Sequence, residues 1–452
     1  MIKNNLSITM PILRFPTEIS KLQIIKVSIP IFFSNLAIPL VGIVDTGLMG
    51  NLDNEKYLIA VSISTAFLTM VLWSFGFLRM GTVGIVSQAL GKGDYRELVN
   101  TIIRNLFVAL LIAFIIILLK PLIINLIYNL FVTSEQTKIL IDRYISIRIF
   151  SAPAELIIYI LVGFYLGIQK TFISSSLIII LSVLNIVLSI YFVHYLQIDV
   201  AGVALGTLAA SYLTVISYSI FTYYYIIKKF KVIPRIYKKI LNGKKMIRLL
   251  NINFDIFLRT VLLTFAFFWV TYLSSTLGEE YVAINSILLQ FIIIAAFFLD
   301  AYAFSTEGIV GYSIGRKSLR MFNSVVKNSI YLSFFTGLTI SVVFIFFSEH
   351  VINIITSIEY LRYLSYKYIF WIILIPPIAS FCYQLDGIFL GATQTAEIRN
   401  SMFISVIIYL PASIFLTEQL LNYGIWFSLL IFMILRASTL HFYFSRILKK
   451  FK

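Results

Sequence analysis

Charge is scarce in this chain. Of 452 residues only 12% are Asp, Glu, Lys or Arg, and acids are the scarcer sign, 20 against 36 bases. That is too little polar surface to clothe a soluble globule of this length. Cysteine is reduced to Cys382, which excludes an internal disulfide framework. The three histidines, His194, His350 and His441, lie too far apart for metal-ligand spacing. No nucleophile elbow, HExxH or Walker-type glycine loop occurs, so nothing here points to an enzyme or to nucleotide binding.

What fills the space is apolar. Hydrophobic residues make up 60% of the chain and the mean hydropathy is +0.95. Runs long enough to cross a hydrocarbon layer of about 30 Å recur along the whole length, and helices satisfy the backbone there. Twelve spans are expected, at 24–49, 57–88, 101–127, 139–168, 173–194, 200–227, 250–276, 281–310, 324–347, 361–391, 398–417 and 423–445. The opening 21 residues are polar and basic, and no cleavable signal is evident.

The spans come as two copies. Pro153 and Pro377, Tyr159 and Tyr383, Gly163 and Gly387, Gly167 and Gly391, and Thr171 and Thr395 are each 224 positions apart, as 391 is from 167. The same shift places Tyr57 on Tyr281, Phe67 on Phe291, Thr82 on Thr306, Gly84 on Gly308 and Gly91 on Gly315. Six spans per copy is an even number, so the copies run parallel about an axis along the membrane normal. The expected fold is an all-α integral membrane protein, with two parallel six-helix repeats around a central cleft. Its parts are a first lobe over 1–228, a basic inter-lobe loop over 229–249 and a second lobe over 250–452.

Charge distribution orients the spans. Lys228, Lys229, Lys231, Arg235, Lys238, Lys239, Lys244, Lys245 and Arg248 fall between the halves with no acid among them. Further bases gather at Lys92, Arg96 and Arg104, at Arg316, Lys317 and Arg320, and at Arg446, Lys449, Lys450 and Lys452. Alternating spans put all of these on one side, which the positive-inside rule makes cytoplasmic, together with both termini. Acids mark the other side: Asp53, Glu55, Glu135, Asp199, Glu279, Glu280, Glu349 and Glu418. Arg143, Arg148, Arg362 and Lys367 are exceptions near the outer ends of spans 4 and 10. The basic loop reads as a solvated segment touching anionic lipid, not as a nucleic-acid site.

Prolines at 30, 39, 153, 376, 377 and 411 bend their helices, either as hinges or as static kinks. Gly163 with Gly167, and Gly387 with Gly391, form small faces for close helix packing. Asp45, Ser189 and Thr207 sit about five to seven residues from the outer ends of spans 1, 5 and 6. At 1.5 Å rise per residue that is roughly 8 to 11 Å deep, one shared level. An acid there should face a cavity or a partner, and can load and release a proton as access changes; the bland alternative is an acid that holds the kinked first helix.

Val44-Asp45-Thr46 with Gly50, the run Phe75-Gly76-Phe77-Leu78-Arg79-Met80-Gly81-Thr82, the run Asp255-Ile256-Phe257-Leu258-Arg259-Thr260, and Leu385-Asp386-Gly387-Ile388-Phe389 through Gly391-Ala392-Thr393 together resemble the multidrug and toxic compound extrusion (MATE) transporters, in their DinF-like branch. The resemblance runs from about Ile24 to the last span. It implies two six-helix lobes, a central cavity with alternating access, and cation-coupled export of organic solutes. It also implies a cation or proton site in the first lobe at Asp45, Asn185, Ser189 and Thr207. Relatives commonly carry an aspartate where Ser189 stands, which favours proton over sodium coupling here.

Other intramembrane charges are candidate cavity or gate residues: Arg79, Asp300, Glu307 and Asp386. Asp300 and Glu307 lie two turns apart on one face of span 8, and either could pair with Arg79 across the cleft when the cytoplasmic side is shut. Asp255 is expected to cap or pair with Arg259, and Glu155 has no counterpart in the second copy. The abundant Phe and Tyr are expected mostly at lipid and interfacial positions, with some left to hold flat cations. The expected activity is a proton-preferring secondary antiporter in the inner membrane, exporting cationic or amphipathic solutes. No cofactor is expected beyond the coupling H+ or Na+, and the partners are small organic solutes and lipid, with a monomer sufficient. The competing reading is a lipid-linked saccharide flippase on a related duplicated scaffold, which calls for a strongly basic cavity.

Overall fold

In a computed structural model the chain is described over residues 17–52, 54–131, 134–234, 240 and 243–451. The described residues are helical throughout, without a strand, and twelve helices are long and apolar enough to span a membrane. They are Lys21–Gly50, Glu55–Lys92, Tyr95–Leu118, Glu135–Gly167, Thr171–Tyr195 and Val200–Phe230, then Gly243–Leu277, Glu279–Gly315, Leu319–Ile355, Ile369–Gly391, Thr395–Leu420 and Asn422–Phe451, here spans 1 to 12. Every expected span has its helix. The third and tenth are shorter than expected, because Lys120–Leu130 starts anew around Pro121 and Glu359–Tyr366 ends before span 10 begins.

Within the first half, span 5 packs on spans 1 and 6, and span 2 on span 4. The second half repeats this, with span 8 on span 10 and span 11 on span 12. Glycine sets the closest of these approaches. A Cβ on Gly163 would lie 2.6 Å from the Arg79 carbonyl of span 2, and one on Gly387 2.6 Å from the Ala303 carbonyl of span 8. These are equivalent contacts in the two copies, and they carry out the packing role expected of both glycine pairs.

The halves meet between spans 2 and 8. A Cβ on Gly91 would fall 3.0 Å from the Cα of Gly315, its own repeat equivalent, and one on Gly311 would fall 3.0 Å from Cβ of its equivalent, Ser87. Equivalent positions touch only beside the axis that relates them, so a pseudo-twofold axis runs between these helices. Two successive touching pairs, four residues apart in both helices, mean that spans 2 and 8 run in the same direction there, as parallel repeats require.

Other joins lie at the same end or at mid-depth. Gln88 Nε2 donates to the Gly391 carbonyl at 2.9 Å, and Ser28 Oγ meets Ser305 Oγ at 2.8 Å. Asn35 Nδ2 donates to the Phe297 carbonyl at 2.9 Å, and the Phe32 ring packs on Tyr302 at 5.2 Å. Ile19 is tied at both backbone groups to Ser324 and Asn328 of span 9, at 3.0 and 2.7 Å.

Proline has distinct effects at different sites. Pro377 lacks the N–H that would bond the Ile373 carbonyl, and Ser341 Oγ of span 9 donates to that carbonyl at 2.6 Å instead. Pro153 does not bend a continuous helix. It stands in the first turn of Ala152–Gly167, after a tight 3-10 turn at Ile149–Ser151 that divides span 4.

The two faces differ in charge as expected, and the exceptional bases near the acidic face are each satisfied locally. Arg143 pairs with Asp199 at 2.7 Å and Arg148 with Glu155 at 2.5 Å. Arg362 donates to the Thr356 carbonyl at 2.7 Å, and Lys367 lies 4.7 Å from the Tyr363 ring centre. On the basic face, Arg104 grips Glu97 and the Ile240 carbonyl, both at 2.8 Å, which anchors the loop between the halves. Asp53, Arg235, Lys238, Lys239 and Lys452 lie outside the described residues.

Candidate functional site

Spans 1, 5 and 6 bring four polar side chains together inside the first half. Asp45 is 6% exposed, Asn185 6%, Ser189 0% and Thr207 8%. Ser189 and Asn185 are one turn apart on span 5, so the Ser189 hydroxyl donates back to Asn185 Oδ1 at 3.1 Å. Asn185 Nδ2 donates across to Thr207 Oγ1 at 3.1 Å, and Thr207 Oγ1 donates to the Val203 carbonyl at 3.2 Å. The Asp45 carboxylate lies beside Ser189, and its Oδ1 has no hydrogen-bond partner among the described residues. All four residues expected from the sequence thus form one cluster, with a single carboxylate and three neutral partners.

Two local devices make this possible. Gly206 precedes Thr207, and a Cβ on it would stand 2.6 Å from Ser189 Oγ and 2.7 Å from Ser189 N. Without a side chain at 206, spans 5 and 6 close directly behind the cluster. Just beyond Ser189, residues Tyr191–Tyr195 form a π-turn, an inserted residue's worth of widening of the kind that recurs at functional sites.

Glu155, unaccounted for by the sequence, is the partner of Arg148. Its Oε1 also accepts from Ser151 Oγ at 2.8 Å, so the pair closes over the 3-10 turn of span 4. Arg148 is thus engaged by Glu155. Asp45 makes no ion pair among the described residues. Arg148, an exception to the charge rule within predicted span 4, was the visible signal for this partner.

The second half holds a different arrangement. Asp386 Oδ2 accepts from Arg436 Nη2 at 2.6 Å and from Arg259 Nη2, joining spans 7, 10 and 12. Arg259 therefore belongs to Asp386. The expected Asp255–Arg259 pairing is not made, because Asp255 is taken by Arg399 at 2.6 Å and by the Thr395 hydroxyl at 2.9 Å. The sequence reading missed Arg436, although an arginine within a long apolar run signals an intramembrane partner. The ion pair expected between Arg79 and Asp300 or Glu307 is also not formed. Arg79 lies across the seam with its guanidinium 3.8 Å from the ring centre of Phe304, a cation–π seat.

The MatE family model matches the chain twice, over residues 30–191 and 256–417. The chain belongs to the MatE family. It is 33% identical to the DNA damage-inducible protein F of Escherichia coli strain K12, over 91% of this chain and 89% of that protein. Solved structures superpose on it closely. A single-substitution mutant of the Vibrio cholerae MATE transporter VcmN has a TM-score of 0.83 at 18% identity, covering 95% of this chain and 97% of that one. An outward-facing multidrug resistance MATE family transporter of the MOP superfamily has a TM-score of 0.84 at 17% identity, covering 95% and 96%. The two model matches fall one in each half, over spans 1 to 5 and spans 7 to 11.

Proposed function

We propose that the protein is a proton-coupled secondary antiporter that exports cationic or amphipathic organic solutes by alternating access, with Asp45 as the coupling group. The observation that carries this reading is a buried carboxylate with an unbonded oxygen and no ion pair among the described residues, in a cluster otherwise neutral. Sodium favours several oxygens and more than one negative charge, whereas a proton needs one carboxylate and room to change its hydrogen bonds. Membership of the MatE family supports export as the activity. The basic face is cytoplasmic in this reading, both termini with it, and the protein sits in the inner membrane as a working monomer. Backbone contact of spans 2, 4, 8 and 10 near that face supports a state shut toward the cytoplasm.

The test uses everted vesicles loaded by an imposed gradient, with a fluorescent organic cation as the probe. Wild-type protein is expected to move the probe under a proton gradient and not under sodium alone, and Asp45→Asn to abolish gradient-driven movement while the protein remains in the membrane. Coupled transport surviving in Asp45→Asn, or driven by sodium alone, overturns the reading.

A further inference from the structure

The pseudo-symmetry is broken by charge at one point beside the axis. Position 307 carries Glu where its equivalent, position 83, carries Val, and both are 0% exposed. Glu307 lies one turn before Gly311 and two before Gly315, on the face of span 8 that meets span 2. Its backbone carbonyl is packed against Gly391 of span 10, and a Cβ on the next residue, Gly308, would stand 2.7 Å from the Leu166 carbonyl of span 4. The acid is therefore embedded where four spans close the basic face.

Neither oxygen of the Glu307 carboxyl has a hydrogen-bond partner among the described residues. No charged or polar group among the described residues bonds it. Arg79 of span 2 rests on Phe304 with Nη1 unbonded, and Arg259 of span 7 is held by Asp386 of span 10. Tyr159 of span 4 and Asp300 of span 8 complete the titratable groups around Arg79 and Glu307. Gln384 of span 10 accepts from Thr306 Oγ1 at 3.2 Å and leaves its Nε2 unbonded. An ionised carboxylate enclosed without a donor costs several kcal/mol, far more than a neutral carboxyl in the same place. The shut seam is therefore compatible with Glu307 carrying a proton.

We infer that Glu307 is a second proton-binding site, separate from Asp45, occupied while the basic face is shut and emptied as spans 2 and 8 part. Loss of the proton leaves a charge that needs either water or the Arg79 guanidinium. Water cannot reach it until the seam opens, and Arg79 must leave Phe304 to do so. Only one copy carries the acid, so a single proton at the axis biases both halves at once.

The inference takes the two-state cycle from the proposal above, but its test uses neither transport nor Asp45. Full-length protein in lipid nanodiscs, with Cys382→Ala, carries spin labels at Arg96→Cys and Arg320→Cys, exposed equivalents on the basic face. Infrared difference spectra follow the carbonyl stretch of protonated carboxyl groups while pH is raised. Wild-type protein is expected to lose a protonated-carboxyl band as the label distance lengthens. Glu307→Gln should lack that band and keep the short distance at every pH. Glu307→Asp, which retains a carboxyl should the glutamine variant misfold, is expected to retain the band and shift the pH at which the distance changes. A pH-dependent separation unchanged in Glu307→Gln, or a protonated-carboxyl band common to every Glu307 variant with no other lost, overturns the inference.

Discussion

Two aspartates in the second half show how partner and burial together decide what a charge is worth. Asp386 accepts from two arginines whose side chains are 2% and 11% exposed, whereas Asp255 is bonded to Arg399, 31% exposed, and to Thr395. Asp386→Asn strands two buried guanidinium groups and is expected to cost about 3–5 kcal/mol, as breaking a buried ion pair does. Asp255→Asn leaves Arg399 able to turn toward water and should cost about 1 kcal/mol or less. Thermal unfolding in detergent, followed by loss of monodisperse protein, is expected to rank the two variants in that order. The reverse ranking removes the triad from the list of what holds spans 7, 10 and 12 together. The sequence announced Asp386 as a charge at depth but not its partners, because Arg259 is 127 positions away and Arg436 50. Asp45, Ser189 and Thr207 were legible because their depth in spans 1, 5 and 6 could be counted from the outer span ends, and Asn185 only through the family resemblance, whereas pairing across spans has no such ruler.

At the scale of elements, apolar length located every span, and spacing of small residues located the helix contacts of spans 4 and 10. The glycine that matters most to the first-half site was not among them. Gly206 has Gly202 four residues before it, yet what requires it is the backbone of Ser189 on another helix. Replacing it with valine forces the Cβ into Ser189 N and Oγ, and overpacking of this kind costs about 1–3 kcal/mol. Gly206→Val is therefore expected to insert and fold with reduced thermal stability, yet to lose proton-driven efflux of the fluorescent cation, since spans 5 and 6 cannot hold Asn185 and Thr207 in contact. Efflux at the wild-type rate in a correctly inserted Gly206→Val protein contradicts the role given to this approach. The breaks in spans 3, 4 and 10 were not legible as breaks, because Pro121 and Pro153 open a new helix as readily as they kink an old one.

At the scale of the molecule, duplication and charge act on different properties. Duplication fixes the shape: equivalent residues Gly91 and Gly315 touch at the axis, which places the closest contact between halves at the basic end of spans 2 and 8. Charge fixes the direction, because two parallel repeats of six spans have the same topology whichever way they are inserted, and only the excess of Lys and Arg on one set of loops distinguishes the faces. Local pairing of Arg143, Arg148, Arg362 and Lys367 removes the bases that oppose this excess. Single cysteines at Arg320 and at Glu280, both exposed and at opposite faces, test the outcome. In intact cells a membrane-impermeant maleimide is expected to label Glu280→Cys and to spare Arg320→Cys, and in everted vesicles the pattern should invert. Labelling of Arg320→Cys from outside intact cells reverses the orientation and, with it, the direction in which a proton leaving Glu307 would travel.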